Sequence, residues 1–261
     1  TFNNCTFYSS NHGYDNNEGV IFIDNDGGSV TDSVLINRCS FIDNDIDKMI
    51  YANSGGYTLT VKDSIFANPK STYDVYIQRH NNNNLDYNWW GNTADNFNST
   101  PKVNAQLNNW YFLNTTLKSN SATISLNNLY DDREKTIATV TDCCLADVAA
   151  ELIGKDLVVN NYVIIENGNA TVSYKTIKKP AYLTAIIYGF NYTANTTEKG
   201  QFDLLQELID NAENFTLNLT QDYTITDGID SIGGIVVNKD SLTIYGNGHT
   251  INGLGISKLL N

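Results

Sequence analysis

Four short segments in the first ninety residues align without gaps: Phe2-Asn-Asn-Cys-Thr-Phe7, Ile36-Asn-Arg-Cys-Ser-Phe41, Val61-Lys-Asp-Ser-Ile-Phe66 and Leu85-Asp-Tyr-Asn-Trp-Trp90. Each begins with an apolar residue, carries a small or amide residue at its fourth position and ends in an aromatic residue. The final aromatic residues are 34, 25 and 24 positions apart. The long first interval is explained by an insertion within residues 11–33, so the chain has a repeat of about 25 residues.

A second apolar stretch follows the first three aromatic residues, at Val20-Ile-Phe-Ile23, Met49-Ile-Tyr51 and Val75-Tyr-Ile77. Two or three short strands in a repeat of this length indicate a parallel β-solenoid in which one repeat forms one coil. Coils stack about 4.8 Å apart, which places equivalent residues above one another. We therefore expect buried ladders, one of which runs Phe7, Phe41, Phe66 and Trp90.

Composition narrows the class of protein. The 261 residues include 16 Lys and Arg against 29 Asp and Glu, which gives a net charge of −13 and a pI near 4.4. This charge disfavours nucleic-acid and anionic-membrane partners. The apolar run Ala185-Ile-Ile-Tyr188 is far too short to span a bilayer, so no membrane insertion is expected in this segment. Abundant Asn and Gly with few helix-forming residues predict an all-β chain.

The segment from residue 113 to 198 changes pattern. Six apolar, alternating strands are predicted in it, at Thr123–Leu126, Thr136–Thr141, Val148–Ile153, Tyr162–Ile165, Ala170–Tyr174 and Tyr182–Tyr188. This density of strands is typical of an immunoglobulin-like β-sandwich. The cysteine pair of antibody domains is absent, because Cys143 and Cys144 are adjacent.

Residues 199–261 begin with the one convincing helix, Gln201–Glu213. Its predicted apolar face consists of Phe202, Leu205, Leu208, Ile209 and Ala212. Short apolar strands follow, at Leu217–Leu219, Tyr223–Ile225, Ile235–Val237 and Leu242–Ile244. We predict a capping helix and the first coils of a second β-helix, which gives three units with the boundaries 1–112, 113–198 and 199–261.

Two motifs carry a resemblance to a known family. Asp86-Tyr-Asn-Trp-Trp-Gly-Asn-Thr93 resembles the signature that closes right-handed parallel β-helix regions in adhesin-like surface proteins of methanogenic archaea. Leu242-Thr-Ile-Tyr-Gly-Asn-Gly-His-Thr-Ile251 resembles the start of another such region. The resemblance implies β-helices alternating with Ig-like domains in a long extracellular protein of the cell surface or cell wall, of which this chain is a piece.

The acidic residues suggest two kinds of site, a calcium site and a catalytic site. Asp24, Asp26, Asp43, Asp45 and Asp47 alternate with other residues and offer the oxygen ligands that Ca²⁺ accepts, although no complete EF-hand loop is present. Parallel β-helix enzymes place carboxylates beside basic residues, for which Arg38, Lys62 and Arg79 are candidates. No pair falls at matching positions of successive repeats, so solvated turn carboxylates are the favoured interpretation. No other cofactor is expected.

Three further residue types are candidates for modification or binding. Cys5 and Cys39 fall on adjacent coils, where either a disulfide or two free buried thiols can form, and free thiols are favoured. Asn-x-Ser/Thr sequons begin at Asn4, Asn98, Asn114, Asn169, Asn191, Asn195, Asn214 and Asn218. The tryptophans and the many tyrosines could form a platform for sugar rings, but end-cap packing is the favoured interpretation of the tryptophans.

The favoured functional hypothesis is a non-catalytic, adhesive segment in which the β-helix is a rigid rod, the sandwich is a spacer and the outward side chains present a face to cells or glycans. Its expected partners are a cell-surface or glycan ligand and neighbouring modules of the same protein, or like subunits joined end to end as a fibre. The alternative is a fragment of a β-helix polysaccharide lyase or glycoside hydrolase.

Overall fold

The computed structural model describes residues 1–10, 19–24, 32–53, 56–79, 82–118, 120–196, 199–213, 215–226, 229–231 and 234–255. Short strands fill its first part. They are β1 Phe2–Asn3, β2 Thr6–Tyr8, β3 Gly19–Ile23, β4 Asp32–Asn37, β5 Ser40–Ile42, β6 Lys48–Ala52, β7 Tyr57–Lys62, β8 Ile65–Ala67, β9 Tyr73–Ile77, β10 Asn82–Asn84 and β11 Trp89–Thr93. We call residues 1–93 the solenoid.

The solenoid has three parallel sheets, in the orders β1-β4-β7-β10, β2-β5-β8-β11 and β3-β6-β9. Every third strand therefore pairs, which is the connectivity of a coil. The registers match the sequence alignment: Phe2 lies opposite Ile36 in the first sheet, and Phe41 lies between Phe7 and Phe66 in the second. The predicted all-β class and the parallel solenoid are confirmed.

An aromatic stack runs through the interior of the coils. The ring centroids of Phe7 and Phe41, and of Phe41 and Phe66, are 4.6 Å apart, and those of Phe66 and Trp90 are 4.3 Å apart. The first two pairs are within 6° of parallel. The spacing is close to the separation of neighbouring strands, so each coil contributes one ring to the stack. The predicted ladder is confirmed.

The turn before each strand of the second sheet has one residue in the left-handed region. Asn4, Arg38, Asp63 and Tyr87 have φ of 57°, 51°, 53° and 64°, and each lies two residues before its strand. Asparagine tolerates this conformation well, whereas most other side chains are strained by it. Asn4 follows the expected turn chemistry, but arginine and tyrosine occupy the same place in other coils.

Nine further strands form two antiparallel sheets. They are β12 Asn109–Lys118, β13 Ser121–Asp131, β14 Thr136–Thr139, β15 Val148–Lys155, β16 Leu157–Val159, β17 Tyr162–Ile165, β18 Asn169–Thr176, β19 Ala181–Ile187 and β20 Phe190–Thr196. We call residues 109–196 the two-sheet unit. All six strands predicted here are present, but β14 ends at Thr139 and β19 at Ile187, short of the predicted Thr141 and Tyr188. Strands β12, β16 and β20 are additional.

The solenoid and the two-sheet unit share one sheet. Strand β12 pairs in parallel with β11 of the solenoid and antiparallel with β13, so a nine-stranded sheet continues from one unit into the other. The predicted boundary between residues 112 and 113 falls inside β12. The second sheet, in the order β17-β15-β19-β20, belongs to the same hydrophobic cluster as this long sheet.

The shared cluster includes solenoid side chains that point away from the coil interior. Ile42, Ile65 and Ala67 neighbour Phe41 and Phe66 in sequence, yet they belong to the cluster of the two-sheet unit while the phenylalanines belong to the interior cluster. Ile65 and Ala67 are completely buried. Successive strand residues face opposite sides of a sheet, so the two-sheet unit covers the outer face of β5 and β8.

The third unit, residues 199–255, has its own small core. It contains α1 Gln201–Asp210 and the strands β21 Thr216–Asn218, β22 Tyr223–Thr224, β23 Thr243–Tyr245 and β24 Ile251–Asn252, which pair in parallel as β21–β23 and β22–β24. We call it the terminal unit. Phe202, Leu205 and Ile209 are buried as predicted, whereas Leu208 is 42% exposed because it lies at the edge of the apolar face.

Two details of this prediction are wrong. The helix ends at Asp210 and not at Glu213, because Asn211 leaves helical geometry and caps it. The segment Ile235–Val237 is not a strand, although Ile235 is buried in the core of the terminal unit.

A buried ion pair joins the terminal unit to the two-sheet unit. Lys179 Nζ lies 3.1 Å from Asp203 Oδ2, and the two side chains are only 9% and 12% exposed. The other oxygen of Asp203 accepts hydrogen bonds from the backbone and hydroxyl of Ser231. Removing either partner would leave an uncompensated buried charge, so the pair favours the contact between the two units.

Candidate binding face

The structure spreads the candidate calcium ligands over the surface. Asp45 Oδ2 lies 3.8 Å from Lys70 Nζ, and Asp47 Oδ2 lies 3.5 Å from Lys48 Nζ. Asp24 is exposed after β3, and Asp43 occupies a left-handed turn. Asp26 lies outside the described residues. Within the described ranges, no three His, Cys, Asp or Glu side chains form a group that could hold a metal ion.

The basic residues considered for catalysis act in local contacts. Arg38 donates a hydrogen bond of 3.5 Å to Asn167 of the two-sheet unit. Arg38 and Lys62 also face Asp63, whose pKa is raised by burial and partly lowered by these two cations. Arg79 is exposed just after β9. Asp63 is a turn residue whose carbonyl accepts a hydrogen bond from Ala146, so it contributes to the contact between units.

Cys5 and Cys39 are free thiols in the structure. Burial raises the pKa of the Cys39 thiol, and hydrogen bonds with the backbones of Cys5 and Asn37 offset only part of this rise. Each thiol contacts the backbone carbonyl two residues before it, Asn3 for Cys5 and Asn37 for Cys39. A raised pKa keeps the thiol protonated and unreactive, which is the behaviour of a small buried filler.

The sequons are mostly accessible. The exposed acceptor residues are Asn4, Asn98, Asn169, Asn191, Asn195 and Asn218. Asn114 is half-buried and accepts a hydrogen bond from the backbone of Thr115. Asn214 lies outside the described residues. Exposure is a requirement for modification, so the six exposed residues stay candidates for glycosylation.

The tryptophans do not form a sugar platform, the less favoured of the two interpretations of these residues. Trp89, Trp90 and Trp110 are 0%, 3% and 3% exposed. Trp90 ends the interior stack, whereas Trp89 packs edge-on against Phe190 of the two-sheet unit with ring centroids 5.6 Å apart. Cap and joint packing therefore account for these residues.

Three residues of the closing motif, Asn88, Gly91 and Asn92, have structural roles. The buried side chain of Asn88 donates to the carbonyls of Val61, Leu85 and Asp86. A Cβ on Gly91, which has φ of 85°, would lie 2.3 Å from the ring of Phe190. Asn92 donates to two carbonyls of the exit loop, those of Asn96 and Ser99. The motif thus closes the solenoid and seats the two-sheet unit.

Aromatic side chains form an outward ladder on the third sheet of the solenoid. Phe22, Tyr51 and Tyr76 are in register on β3, β6 and β9, with ring centroids 5.3 Å and 5.8 Å apart, and Tyr73 lies 5.0 Å from Tyr76. Lys48 Nζ sits 4.8 Å and 5.2 Å from the centroids of Tyr51 and Tyr76. This cation–π contact shields those two rings. Phe22 is 47% exposed.

A groove of about 800 Å³ lies beside this ladder. Six of its lining side chains are amides, namely Gln78, Asn82, Asn83, Asn84, Asn104 and Gln106. Strand β10 ends the first sheet on this side, and the segment around Asn104 forms the opposite wall. The hydroxyl of Tyr51 makes a short hydrogen bond to Gln78 Oε1, which connects the ladder to the groove. We call the ladder and the groove together the binding face.

A buried polar network crosses the coils under another corner of the solenoid. Asn44 donates its backbone and side-chain N–H groups to Asn68 Oδ1, and Asn68 donates to Asp74 Oδ1 at 3.1 Å. Asp74 is 1% exposed, and burial raises its pKa to about 7 despite the hydrogen bonds from Asn68 and Ser71 and the nearby Lys102. Lys102 donates to three carbonyls of the adjoining turn.

Sequence reasoning missed the binding face and the Asp74 network. The run of four asparagines at residues 81–84 indicates turn chemistry first, although a run of amides beside a strand end is also a polar surface. Asp74 carried no signal, because its burial depends on contacts with Asn68, Ser71 and Lys102 that the local sequence does not reveal.

In the part of the chain that the structure describes, no helix is both long and apolar enough to cross a bilayer. Comparisons with protein-family models, with curated proteins and with solved structures found no match to this chain. Functional inference therefore rests on the fold and on the side chains of the binding face.

Proposed function

We propose that this chain is a non-catalytic, adhesive segment of a large extracellular cell-surface protein, in which the solenoid acts as a rigid rod and the two-sheet unit acts as a spacer. One observation carries the proposal, namely the nine-stranded sheet that continues from the solenoid through β12 into the two-sheet unit. A joint made of a continuous sheet and a shared core resists bending, whereas domains joined by a linker move independently.

Two finer assignments belong to this proposal. The two-sheet unit is taken as an Ig-like sandwich, an assignment supported by its antiparallel sheets and common core. The terminal unit is taken as the cap and first coils of a second β-helix. Its parallel registers, Thr216 with Thr243 and Tyr223 with Ile251, support this because they are offset by 27 and 28 residues, close to the 25 that separate Ile36 from Val61.

The resemblance to archaeal adhesin-like surface proteins and the exposed sequons support a cell-surface location. Antibodies raised against the purified chain should label intact, unpermeabilised cells of the source organism. Labelling that requires permeabilisation would contradict this location. Mass spectrometry of the natural protein should find glycans on the exposed sequons and none on the half-buried Asn114.

The rod is tested by solution scattering from the whole chain. A rigid segment should give one scattering profile, unchanged with salt, that fits a single arrangement of the solenoid and the two-sheet unit. Profiles that need a broad ensemble for these two units would overturn the rod. The enzyme alternative predicts product from acidic or neutral polysaccharides, so chain-dependent release of reducing or unsaturated ends would overturn the non-catalytic assignment.

A further inference from the structure

The binding face differs in chemistry from the rest of the molecule. The chain carries a net charge of −13, yet no charged side chain lines the groove among the described residues. Its lining is dominated by amide groups, each of which offers two N–H donors and a carbonyl acceptor. Such a lining disfavours phosphorylated or carboxylated ligands, because it holds no cation to pair with them. Lys48, which lies beside the ladder, is only 12% exposed, and its Nζ is already 3.5 Å from Asp47 Oδ2.

Several of these amides already have partners that hold the groove in shape. Asn104 Oδ1 accepts from the backbone N–H of Ile77 at 2.7 Å, and its Nδ2 donates to the carbonyl of the same residue at 3.0 Å. Asn84 Oδ1 accepts from the backbone of Asp86. Asn104 thus continues the sheet edge as a further strand would and fixes one wall, so the groove is preorganised.

Other amides point their donors and acceptors to solvent. Asn82 and Gln106 are exposed, and neither side chain hydrogen-bonds to another residue of the described segments. The side-chain oxygen of Gln78 accepts a hydrogen bond from the hydroxyl of Tyr51, so the Nε2 group of Gln78 is not used in that contact. A ligand that both donates and accepts hydrogen bonds at closely spaced positions would match these groups, and neighbouring sugar hydroxyls have this property.

The aromatic ladder adds an apolar surface next to the amides. Phe22 lies at the end of the ladder farther from the groove and has nearly half of its surface exposed, and aromatic rings present faces on which the C–H surface of a sugar ring can lie. A ligand that contacts both Phe22 and the amides therefore extends along the ladder over more than one sugar ring. The groove volume of about 800 Å³ falls in the range of small-molecule sites. Its size suits a short oligosaccharide segment better than a folded domain.

We propose that the binding face holds an uncharged oligosaccharide, with amide side chains on its hydroxyl groups and Phe22 against a ring face. An extended peptide pairing with β10 is the competing occupant. The observations favour the sugar, because β10 is only Asn82–Asn84, asparagine is a poor strand former, and amides give no apolar pockets for side chains. The inference rests on the proposed adhesive function and names the ligand class for it.

The test measures binding of neutral cello-, manno-, galacto- and chito-oligosaccharides to the whole chain by calorimetry. Acidic oligogalacturonate and an extended-peptide library form the comparison arms. We expect at least one neutral oligosaccharide to bind with Kd near 1 mM or below and the acidic series not to bind. The double variant Asn82→Ala with Gln106→Ala should weaken that binding about tenfold.

The matched control is Asn160→Ala with Asn161→Ala, two exposed amides on the two-sheet unit far from the groove in sequence. It should leave the affinity unchanged, and circular dichroism melting should show that both double variants remain folded. Any one of four outcomes would overturn the proposal. They are binding of acidic sugars only, binding of peptides only, no binding of neutral sugars up to about 10 mM, and an unchanged affinity in the groove variant. None of these outcomes alters the scattering or the cell labelling, so failure of the ligand assignment is distinguishable from failure of the rod.

Discussion

At the scale of single residues, burial and backbone conformation set the energetics of this solenoid. A carboxyl group at 1% exposure and a tyrosine in the left-handed region are both unfavourable locally, and the surrounding coils hold them in place. Each can be replaced without changing the size of the interior, so each substitution gives a measurable change in stability.

The first of these substitutions concerns the pH dependence of stability. The pKa of Asp74 is about 7 in the folded chain, above the ordinary value of 3.8, so the folded state binds more protons between these limits. Its contribution to the free energy of unfolding is therefore greatest at low pH, falls as the pH rises from about 4 to about 7 and is constant above that. The loss at neutral pH is on the order of 2–4 kcal/mol.

Asp74→Asn should remove this pH-dependent contribution. The free energy of unfolding of the variant should therefore rise relative to that of the natural chain as the pH increases from 4 to 7. Urea unfolding at several pH values measures it. The exposed Asp45→Asn is the matched control and should show a much smaller trend. Parallel curves for Asp74→Asn and the natural chain would contradict the prediction.

The second concerns the turn at Tyr87. Asn4 shows which residue suits this place, because asparagine adopts the left-handed conformation at lower cost. Tyr87→Asn should therefore stabilise the chain by about 0.5–1 kcal/mol, seen as a higher thermal midpoint in calorimetry. Tyr162→Asn, which removes an exposed tyrosine from strand β17, should be neutral or destabilising. A lower midpoint for Tyr87→Asn would rule out the strain argument.

At the scale of elements, β11 and β12 join the two architectures. Strand β11 carries Trp90 toward the coil interior and Trp89 toward the two-sheet unit, and Gly91 leaves room for Phe190. The element is consequently apolar on both faces, as are β5 and β8. Strands with two apolar faces are buried on both sides, so this was a readable signal that something covers the outside of the solenoid.

Gly91→Ala should destabilise the chain by about 3 kcal/mol, because the new methyl group meets the Phe190 ring and the residue keeps a positive φ. Gly248→Ala is the matched control, since Gly248 has φ of 87° and a methyl group added there would meet no atom within 4 Å. Gly248→Ala measures only the cost of placing alanine at a positive φ, so it should lower the free energy of unfolding less than Gly91→Ala does. Chemical denaturation of both variants measures the difference.

A double-mutant cycle separates the clash from the backbone strain. Adding Phe190→Ala removes the ring that the methyl group meets, so the double variant should be more stable than the sum of the single losses by about 1–2 kcal/mol. Additive losses would show that Phe190 does not confine this position.

The sequence predicted the coils well and their surroundings poorly. The interior aromatic stack from Phe7 to Trp90 could be predicted because each coil repeats the same side-chain pattern. Aligning the repeats gives the register of the paired strands directly. The two apolar faces of β8 indicate that Ile65 is covered, but they do not indicate by which unit, since that depends on contacts between residues far apart in the chain. The groove was not predicted because asparagine is common in turns, so nothing in the sequence indicated that Asn82 and Asn84 line a groove.

At the scale of the whole molecule, the three units are not equally coupled. The solenoid and the two-sheet unit share a sheet and a hydrophobic cluster, whereas the terminal unit has a separate core and meets its neighbour through the Lys179–Asp203 pair. Segments that share a hydrophobic core unfold cooperatively. The solenoid and the two-sheet unit should therefore unfold together, and the terminal unit should unfold separately.

Native-state hydrogen exchange tests this coupling. Ile65→Ala, which removes a completely buried side chain from the shared cluster, should lower protection in both the solenoid and the two-sheet unit by about 2–4 kcal/mol. Leu205→Ala is the counterpart in the terminal unit and should lower protection only there. If Ile65→Ala affected the solenoid alone, the joint would not be cooperative.

The positions of the tryptophans give the molecule an optical property. All three tryptophans of the chain, Trp89, Trp90 and Trp110, lie buried where the solenoid passes into the two-sheet unit. Intrinsic fluorescence excited at the indole band therefore reports on this joint alone, with the short-wavelength emission of shielded indoles, and is blind to melting of the terminal unit. The closing motif thus supplies a label-free probe of whether the joint between the solenoid and the two-sheet unit is intact.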